Sequence, residues 1–144
     1  MADSVVRIGL VLPDVMGTYG DGGNGLILAR RAQWRGVDVE LLQAVSDAPV
    51  PEADIYCLGG GEDGPQVRAA RTLIDDGTLA RRVAGGAVVL AVCAGFQVVG
   101  RSFPGASGEA SLAIPDLVTQ AYRLQSRVNS IAASSGDQSI TSAF

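Results

Sequence analysis

Two cysteines carry the nucleophilic chemistry open to this chain, and they stand in different surroundings. Cys93 follows the apolar run at residues 87–92 (AVVLAV) and precedes Ala94-Gly95, which opens a helical stretch. A sharp strand-to-helix turn exposes its central side chain and demands small neighbours. It also aims backbone N–H groups and the helix N-terminus at that side chain. A helix N-terminus stabilises a thiolate, so this position suits a nucleophile. The competing reading is an inert buried cysteine, the commoner fate of a free thiol. Cys57, inside the strand-like IYCLGGG, takes that second reading. Two cysteines are too few for a disulfide scaffold and lack zinc-ligand spacing, so no metal site is expected.

Glycines supply the next candidate chemistry. Gly59, Gly60 and Gly61 follow a strand-like run. In an open α/β sheet the loops at the carboxyl ends of strands line the ligand crevice, which would bring these glycines near Cys93. Their N–H groups could then hold the oxyanion of a tetrahedral intermediate. A tight turn needing positive φ would explain the same glycines and is compatible with that role. Two stretches match a dinucleotide fingerprint by letter. Gly20, Gly22 and Gly25 are followed by Glu40, read as the end of the second strand, but seven residues separate the first strand from the first glycine. Gly59, Gly61 and Gly64 have no acidic residue at the end of the next strand. A dinucleotide site needs both features, so neither match carries weight in a chain with 19 glycines.

Composition narrows the chemistry further. The chain has 144 residues, no histidine, and 11 cations that are all arginine. Without histidine there is no imidazole ligand or acid/base, and without lysine no P-loop lysine or Schiff base. A net charge of −4 argues against general binding to nucleic acid. Hydrophobic residues make up 47% and charged residues 18%, which suits one folded domain with a single core. Residues 83–100 carry no charge, yet Gly85, Gly86, Gly95, Gly100 and Gln97 interrupt them. They read as a strand, a turn and a helix start, not as a membrane span of about 20 apolar residues. No basic segment followed by an apolar one opens the chain, so a cytoplasmic location is the default expectation.

The elements that must position these residues follow from periodicity. Residues 5–12 (VVRIGLVL) read as a strand buried on both faces of a parallel sheet. After a glycine-rich loop, residues 26–35 read as a helix, with Leu26, Ala29 and Gln33 or Ile27, Arg30 and Trp34 at helical spacing. Asn24 is its expected N-cap and Gly36 its stop. Strands are expected at 37–42, 55–58 and 87–92. Helices are expected from Pro65 to about Asp76, at 79–83 and after Cys93, with Gly77 ending the first. This alternation implies a parallel sheet with helices on both faces.

Composition changes near Gly105. Residues 1–105 hold Ser4, Ser46 and Ser102, whereas 106–144 hold eight serines and no convincing strand. Leu117, Val118, Ala121, Leu124, Val128 and Ile131 share one helical face, and the last dozen residues read as disordered. The chain therefore divides into a domain at 1–105 and an atypical serine-rich tail at 106–144.

Three motifs in order carry a family resemblance. AVCAGFQ, with Cys93, Gly95 and Gln97, resembles the nucleophile elbow G-x-C-x-G-x-Q of class I (triad-type) glutamine amidotransferases, with Ala91 in place of the first glycine. LGGGEDG resembles their oxyanion loop. TYGDGGNG followed by LARRAQWRG resembles the cobyric acid synthase-like branch, and within it the glutaminase subunits of lipid II isoglutaminyl synthases. The resemblance covers about residues 5–105. It implies a three-layer, flavodoxin-like α/β fold with a mostly parallel sheet, incomplete on its C-terminal side.

The resemblance implies a glutaminase in which Cys93 attacks the side-chain amide of glutamine, forms a thioester and releases ammonia. Ala94 and Gly60 or Gly61 would hold the oxyanion, and Gln97 would help position the substrate. Ammonia would pass to a Mur ligase-like subunit in a heterodimer, which uses ATP and Mg²⁺ to amidate D-glutamate of the peptidoglycan stem peptide. No cofactor is implied on this chain. The family's histidine, expected on strands beyond the elbow helix, has no counterpart here. Loss of a positioned general acid/base typically costs about 10²–10⁴-fold, so activity is expected to be crippled. The tail is accordingly read as a truncated or frameshifted ending that leaves a sheet edge unpaired and apolar surface exposed. Two other readings remain: a non-catalytic member that only binds a partner, and a DJ-1/PfpI-like cysteine protein, whose elbow also reads C-A-G. The latter calls for an early-loop glutamate, where this chain offers only Asp14 and Asp21.

Overall fold

β-Branched and leucine side chains on both sides of a strand can be satisfied only by a layer on each face, and the first strand is built that way. In a computed structural model, which describes residues 5–17 and 22–100, β1 (Val6–Val11) lies inside a four-stranded parallel sheet of order β2-β1-β3-β4. The other strands are β2 (Val39–Ala44), β3 (Ile55–Leu58) and β4 (Val88–Ala91). Ile8 pairs with Leu41 and Ile55, and Ile55 pairs in turn with Val88, so these residues share one face. That face carries Ile8, Leu10 and Cys57, packed with Ala29 of α2 (Gly22–Gln33). The opposite face carries Tyr56 and Leu58, and Leu58 meets the helix that follows Cys93. The result is the expected three-layer, flavodoxin-like arrangement.

Between β1 and α2 lies a single turn of helix, α1 (Pro13–Met16), absent from the periodicity reading. Its start is set by Leu12, fully buried and held at φ 49°, ψ 49°, whose carbonyl accepts from the N–H groups of Val15 and Met16 at 3.0 and 2.8 Å. Proline in the first turn supplies a preset φ and no orphan donor.

Helix α2 begins earlier than expected. Asn24 is its third residue, not its N-cap, because packing on the sheet overrides the low helix propensity of Gly22, Gly23 and Gly25. Gly25, Leu28 and Ala29 form the inward face, and Gly25 allows the close approach of Leu10. Leu26, Ile27 and Trp34 are exposed, so of the two rows expected from spacing only Ala29 faces the core. Gly36, at φ 77°, ends the helical turn as expected. The second strand runs from Val39, two residues later than expected, which puts Glu40 near its start. There Glu40 accepts from Arg7 Nε at 3.0 Å. Ligands bind at the carboxyl ends of such strands, so Glu40 is at the wrong end to hold a ribose.

No helix joins β2 to β3. Residues 45–54 cross over instead, stitched by the fully buried Tyr56, whose hydroxyl donates to Pro51 O and accepts from Ala53 N–H, both at 2.9 Å. Two helices then connect β3 to β4. In α3 (Asp63–Asp76), Gln66, Ala69, Ala70 and Leu73 form one buried face. Gly77 at φ 69° ends it and α4 (Thr78–Ala84) follows at once.

Asp76 holds this corner. Its carboxylate accepts from Thr78 N–H at 2.9 Å and Val50 N–H at 3.2 Å. Burial alone would raise its pKa. The hydrogen bonds from Thr78 and Val50, with Arg81 nearby, outweigh that and hold it below the usual carboxylate range. A depressed folded pKa means stabilisation that is present above the ordinary aspartate value and lost as pH falls through the folded value. Asp76→Ala should therefore lower stability by about 1 kcal/mol at pH 7. The gap to wild type should shrink below about pH 4. Urea unfolding of both proteins at neutral and acid pH checks this.

The uncharged stretch at 83–100 folds as the end of α4, a turn with Gly86 at φ 102°, β4, and α5 (Ala94–Val99). Among the described residues no helix is long and apolar enough to cross a membrane. β4 pairs only with β3 there, and Val88, Leu90 and Val92 are exposed, although helices are expected on both faces of the sheet. The reason is that α2 covers the sheet over β1 and β2 and does not extend over β4. The serine-rich tail, with its amphipathic face at 117–131, lies outside the described residues.

Candidate active site

Four strands run parallel, so their carboxyl ends and the loops that leave them lie on one edge of the sheet. Strand β4 ends at Ala91, and Val92 N–H still bonds to Leu58 O at 3.0 Å, so the pairing continues one step past the strand. The chain then reverses into α5 through Cys93, which sits at φ 55°, ψ −124°. That conformation is strained for any residue with a Cβ, by about 1–3 kcal/mol, and tends to occur where function requires it. It leaves the Cys93 side chain exposed at the N-terminal end of α5, as the turn reading expects. Cys57 is buried in β3, and burial pushes its thiol pKa up, so it stays a protonated, shielded side chain.

The elbow is locked to the glycine loop by one close approach. Gly95 N–H donates to Gly59 O at 2.9 Å, and a Cβ on Gly95 would lie 2.8 Å from Gly59 O, Leu58 O and Leu58 Cβ. Only glycine permits this contact. It places the loop after β3 directly against the turn after β4, so Gly59–Gly61 and Cys93–Ala94 are neighbours. None of Gly59, Gly60 and Gly61 has positive φ, which corrects the tight-turn expectation. The loop needs small residues for proximity instead: Gly61 faces Met16 of α1, 3.5 Å from where its Cβ would be. Ala94 N–H and Gly61 N–H make no hydrogen bond among the described residues. Unpaired backbone N–H groups close to an exposed thiol are what an oxyanion site requires.

Gln97 lies one helical turn beyond Cys93, on the same side of α5 by the i, i+4 rule. It is exposed, yet its Oε1 accepts from Nε2 of Gln66 on α3 at 3.0 Å. Gln66 was not singled out from sequence. The one available signal was a polar residue at the head of an otherwise apolar helical row, Ala69, Ala70 and Leu73.

A second polar cluster braces the same edge. Asp14 of α1 accepts from Ser46 Oγ at 2.6 Å and Ser46 N–H at 3.1 Å, and Arg68 of α3 donates to Ser46 Oγ at 3.4 Å. This ties the loops after β1 and β2 together and leaves Asp14 engaged with Ser46, away from the role of a DJ-1-type acid. Burial acts to raise the Asp14 pKa, but the Ser46 hydrogen bonds and Arg68 keep it lowered.

Two curated proteins and one family profile are similar to this chain. The GatD subunit of lipid II isoglutaminyl synthase (glutamine-hydrolyzing) from Streptococcus pneumoniae is 35% identical over 67% of this chain and 38% of its own length. The corresponding subunit from Staphylococcus aureus is 29% identical over 76% of this chain and 47% of its own length. The chain thus spans less than half the length of these curated relatives. The profile of the CobB/CobQ-like glutamine amidotransferase domain matches residues 7–132, beginning in β1 and running into the serine-rich stretch. With a match over most of its length, and a strained cysteine elbow locked against a glycine loop, the chain belongs to the CobB/CobQ-like glutamine amidotransferase family.

Proposed function

We propose that this chain is the glutaminase part of a glutamine-dependent amide ligase of the lipid II isoglutaminyl synthase type. The observation that carries the reading is the exposed Cys93 at positive φ, joined through Gly95 to the loop bearing Gly60 and Gly61. In this reading the Cys93 thiolate attacks the Cδ carbonyl carbon of glutamine. The carbonyl oxygen takes the negative charge, held by N–H of Ala94 and of Gly60 or Gly61. Collapse of the tetrahedral adduct re-forms the carbonyl and breaks the C–N bond, with a proton delivered to the leaving nitrogen. Ammonia departs and a thioester remains, which water hydrolyses to glutamate. Gln97 positions the substrate. A Mur ligase-like subunit, holding ATP and Mg²⁺, receives the ammonia and amidates D-glutamate of the stem peptide.

These 144 residues by themselves hold no histidine to deliver that proton. Turnover by this chain is then about 10²–10⁴-fold below that of an enzyme with a positioned acid/base. The first half-reaction is best tested without turnover. A chloroketone analogue of glutamine presents a carbon from which the thiolate displaces chloride, so alkylation needs no acid. The native chain should be alkylated at Cys93, with a rate that saturates in analogue, and spared at Cys57, as read by peptide mass spectrometry. A folded chain that shows no saturation would leave the partner-binding, non-catalytic reading in its place. Adding a Mur ligase-like partner and glutamine then tests ammonia transfer.

A further inference from the structure

Gln66 is 3% exposed, on the inner face of α3 among Ala69, Ala70 and Leu73. An amide in such surroundings is costly to desolvate unless it is bonded, and an apolar side chain of equal length would pack there without that cost. Its Nε2 donates to Oε1 of Gln97 at 3.0 Å, across the gap between α3 and α5. The geometry points to a positioning role for Gln66: it pins the carbonyl end of the Gln97 amide against α3, so that the Gln97 Nε2 donors face outward to receive an acceptor oxygen of bound glutamine. This rests on the reading of Cys93 and Gln97 as a glutamine site.

An amide has an acceptor end and a donor end, and a free exposed glutamine side chain rotates between them. With Oε1 turned toward α3 by a donor from a buried side chain, the Nε2 end is the one presented to a ligand. Because Gln97 stands one turn from Cys93, its donors meet the part of the substrate away from the scissile amide. They therefore act on binding and not on the thiol's attack. Gln66 touches neither substrate nor Cys93; it acts through Gln97.

The test measures alkylation of Cys93 by the chloroketone analogue over a concentration series, giving the half-saturating concentration and the limiting rate separately. Wild type, Gln66→Met, Gln66→Glu, Gln97→Met and the double variant Gln66→Met/Gln97→Met are compared, with thermal melts to confirm folding. Gln66→Met fills the same space without a donor. It should raise the half-saturating concentration about tenfold, the loss of about one hydrogen bond. The limiting rate should change less than twofold and the melting temperature should hold or rise. Gln66→Glu keeps size and polarity but only accepts, so it should turn the Gln97 carbonyl outward and weaken binding at least as much. The double variant should be no weaker than Gln97→Met alone, because Gln66 has nothing left to position. An unchanged half-saturating concentration in both Gln66 variants overturns the proposal, as does an effect of Gln66→Met that persists in the Gln97→Met background. If the wild type itself fails to saturate, the glutaminase reading fails and this inference falls with it, a result distinct from the other two.

Discussion

Cys93→Gly should abolish alkylation by the glutamine analogue and reduce glutamine hydrolysis to the buffer rate, while making the protein harder to unfold. The first effect is total because no other described thiol is exposed: Cys57 is buried in β3 with its pKa raised by burial. The second follows from φ 55° at position 93. A residue with a Cβ held there stores about 1–3 kcal/mol of strain, which glycine does not. Glycine also makes the unfolded chain freer, which offsets roughly 0.5–1 kcal/mol of the gain. The net expectation is stabilisation of about 1 kcal/mol, a rise in melting temperature of roughly 3–5 °C for a chain of this size. A thermal melt beside the alkylation assay reads both effects. Loss of reactivity together with lowered stability would show that the cysteine packs favourably and that the turn is not strained.

Gly95→Ala acts in the opposite sense. Its Cβ would meet two backbone oxygens and the Leu58 Cβ at 2.8 Å, none of which is the far end of a flexible side chain. Relief requires α5 or the loop after β3 to move, which separates Cys93 and Ala94 from Gly59–Gly61. Overpacking of this kind typically costs about 1–3 kcal/mol, and the upper end is expected where backbone must yield. The melting temperature should fall by roughly 10 °C or more. Cys93 should remain open to small thiol reagents but lose saturable reaction with the glutamine analogue, because the oxyanion donors no longer face it. Retained saturation at wild-type concentrations would mean that the contact between the two loops is incidental to binding.

Sequence patterns revealed the site's order along the chain better than its contacts. The run AVVLAV, the cysteine and the small residues after it announce a strand, a turn and a helix, because each has a local cause: β-branched side chains, steric demand at the turn, a free helix start. The role of Gly95 as a spacer against Leu58 and Gly59 was invisible, since it depends on two strands 30 residues apart becoming neighbours. Gln66 was missed for the same reason: its partner Gln97 lies in another helix. Local rules also failed where packing overruled them. Asn24 looks like a cap by residue type, yet sheet contact extends α2 through the glycines before it. Glu40 reads as the end of a strand, yet that strand begins beside it at Val39. The positive φ expected in Gly59–Gly61 occurs instead at Cys93 and Leu12, two residues with side chains, each just after a strand at the ligand edge of the sheet.

The placement of β4 bears on how long the thiol stays in reactive geometry. Among the described residues β4 is held through β3 on one side only, whereas β1 is held on both. Opening free energies within one protein range from near zero at weakly held elements to the full unfolding value in the core. Among the described pairings β2 and β4 are each held on one side, so amide protons of β4, the strand that aims Cys93, should exchange before those of β1. The elbow's strain can be released by local opening without unfolding the rest. A partner or ligand that clasps the β4–α5 unit would therefore raise the fraction of time the thiol is armed, with no change in its chemistry.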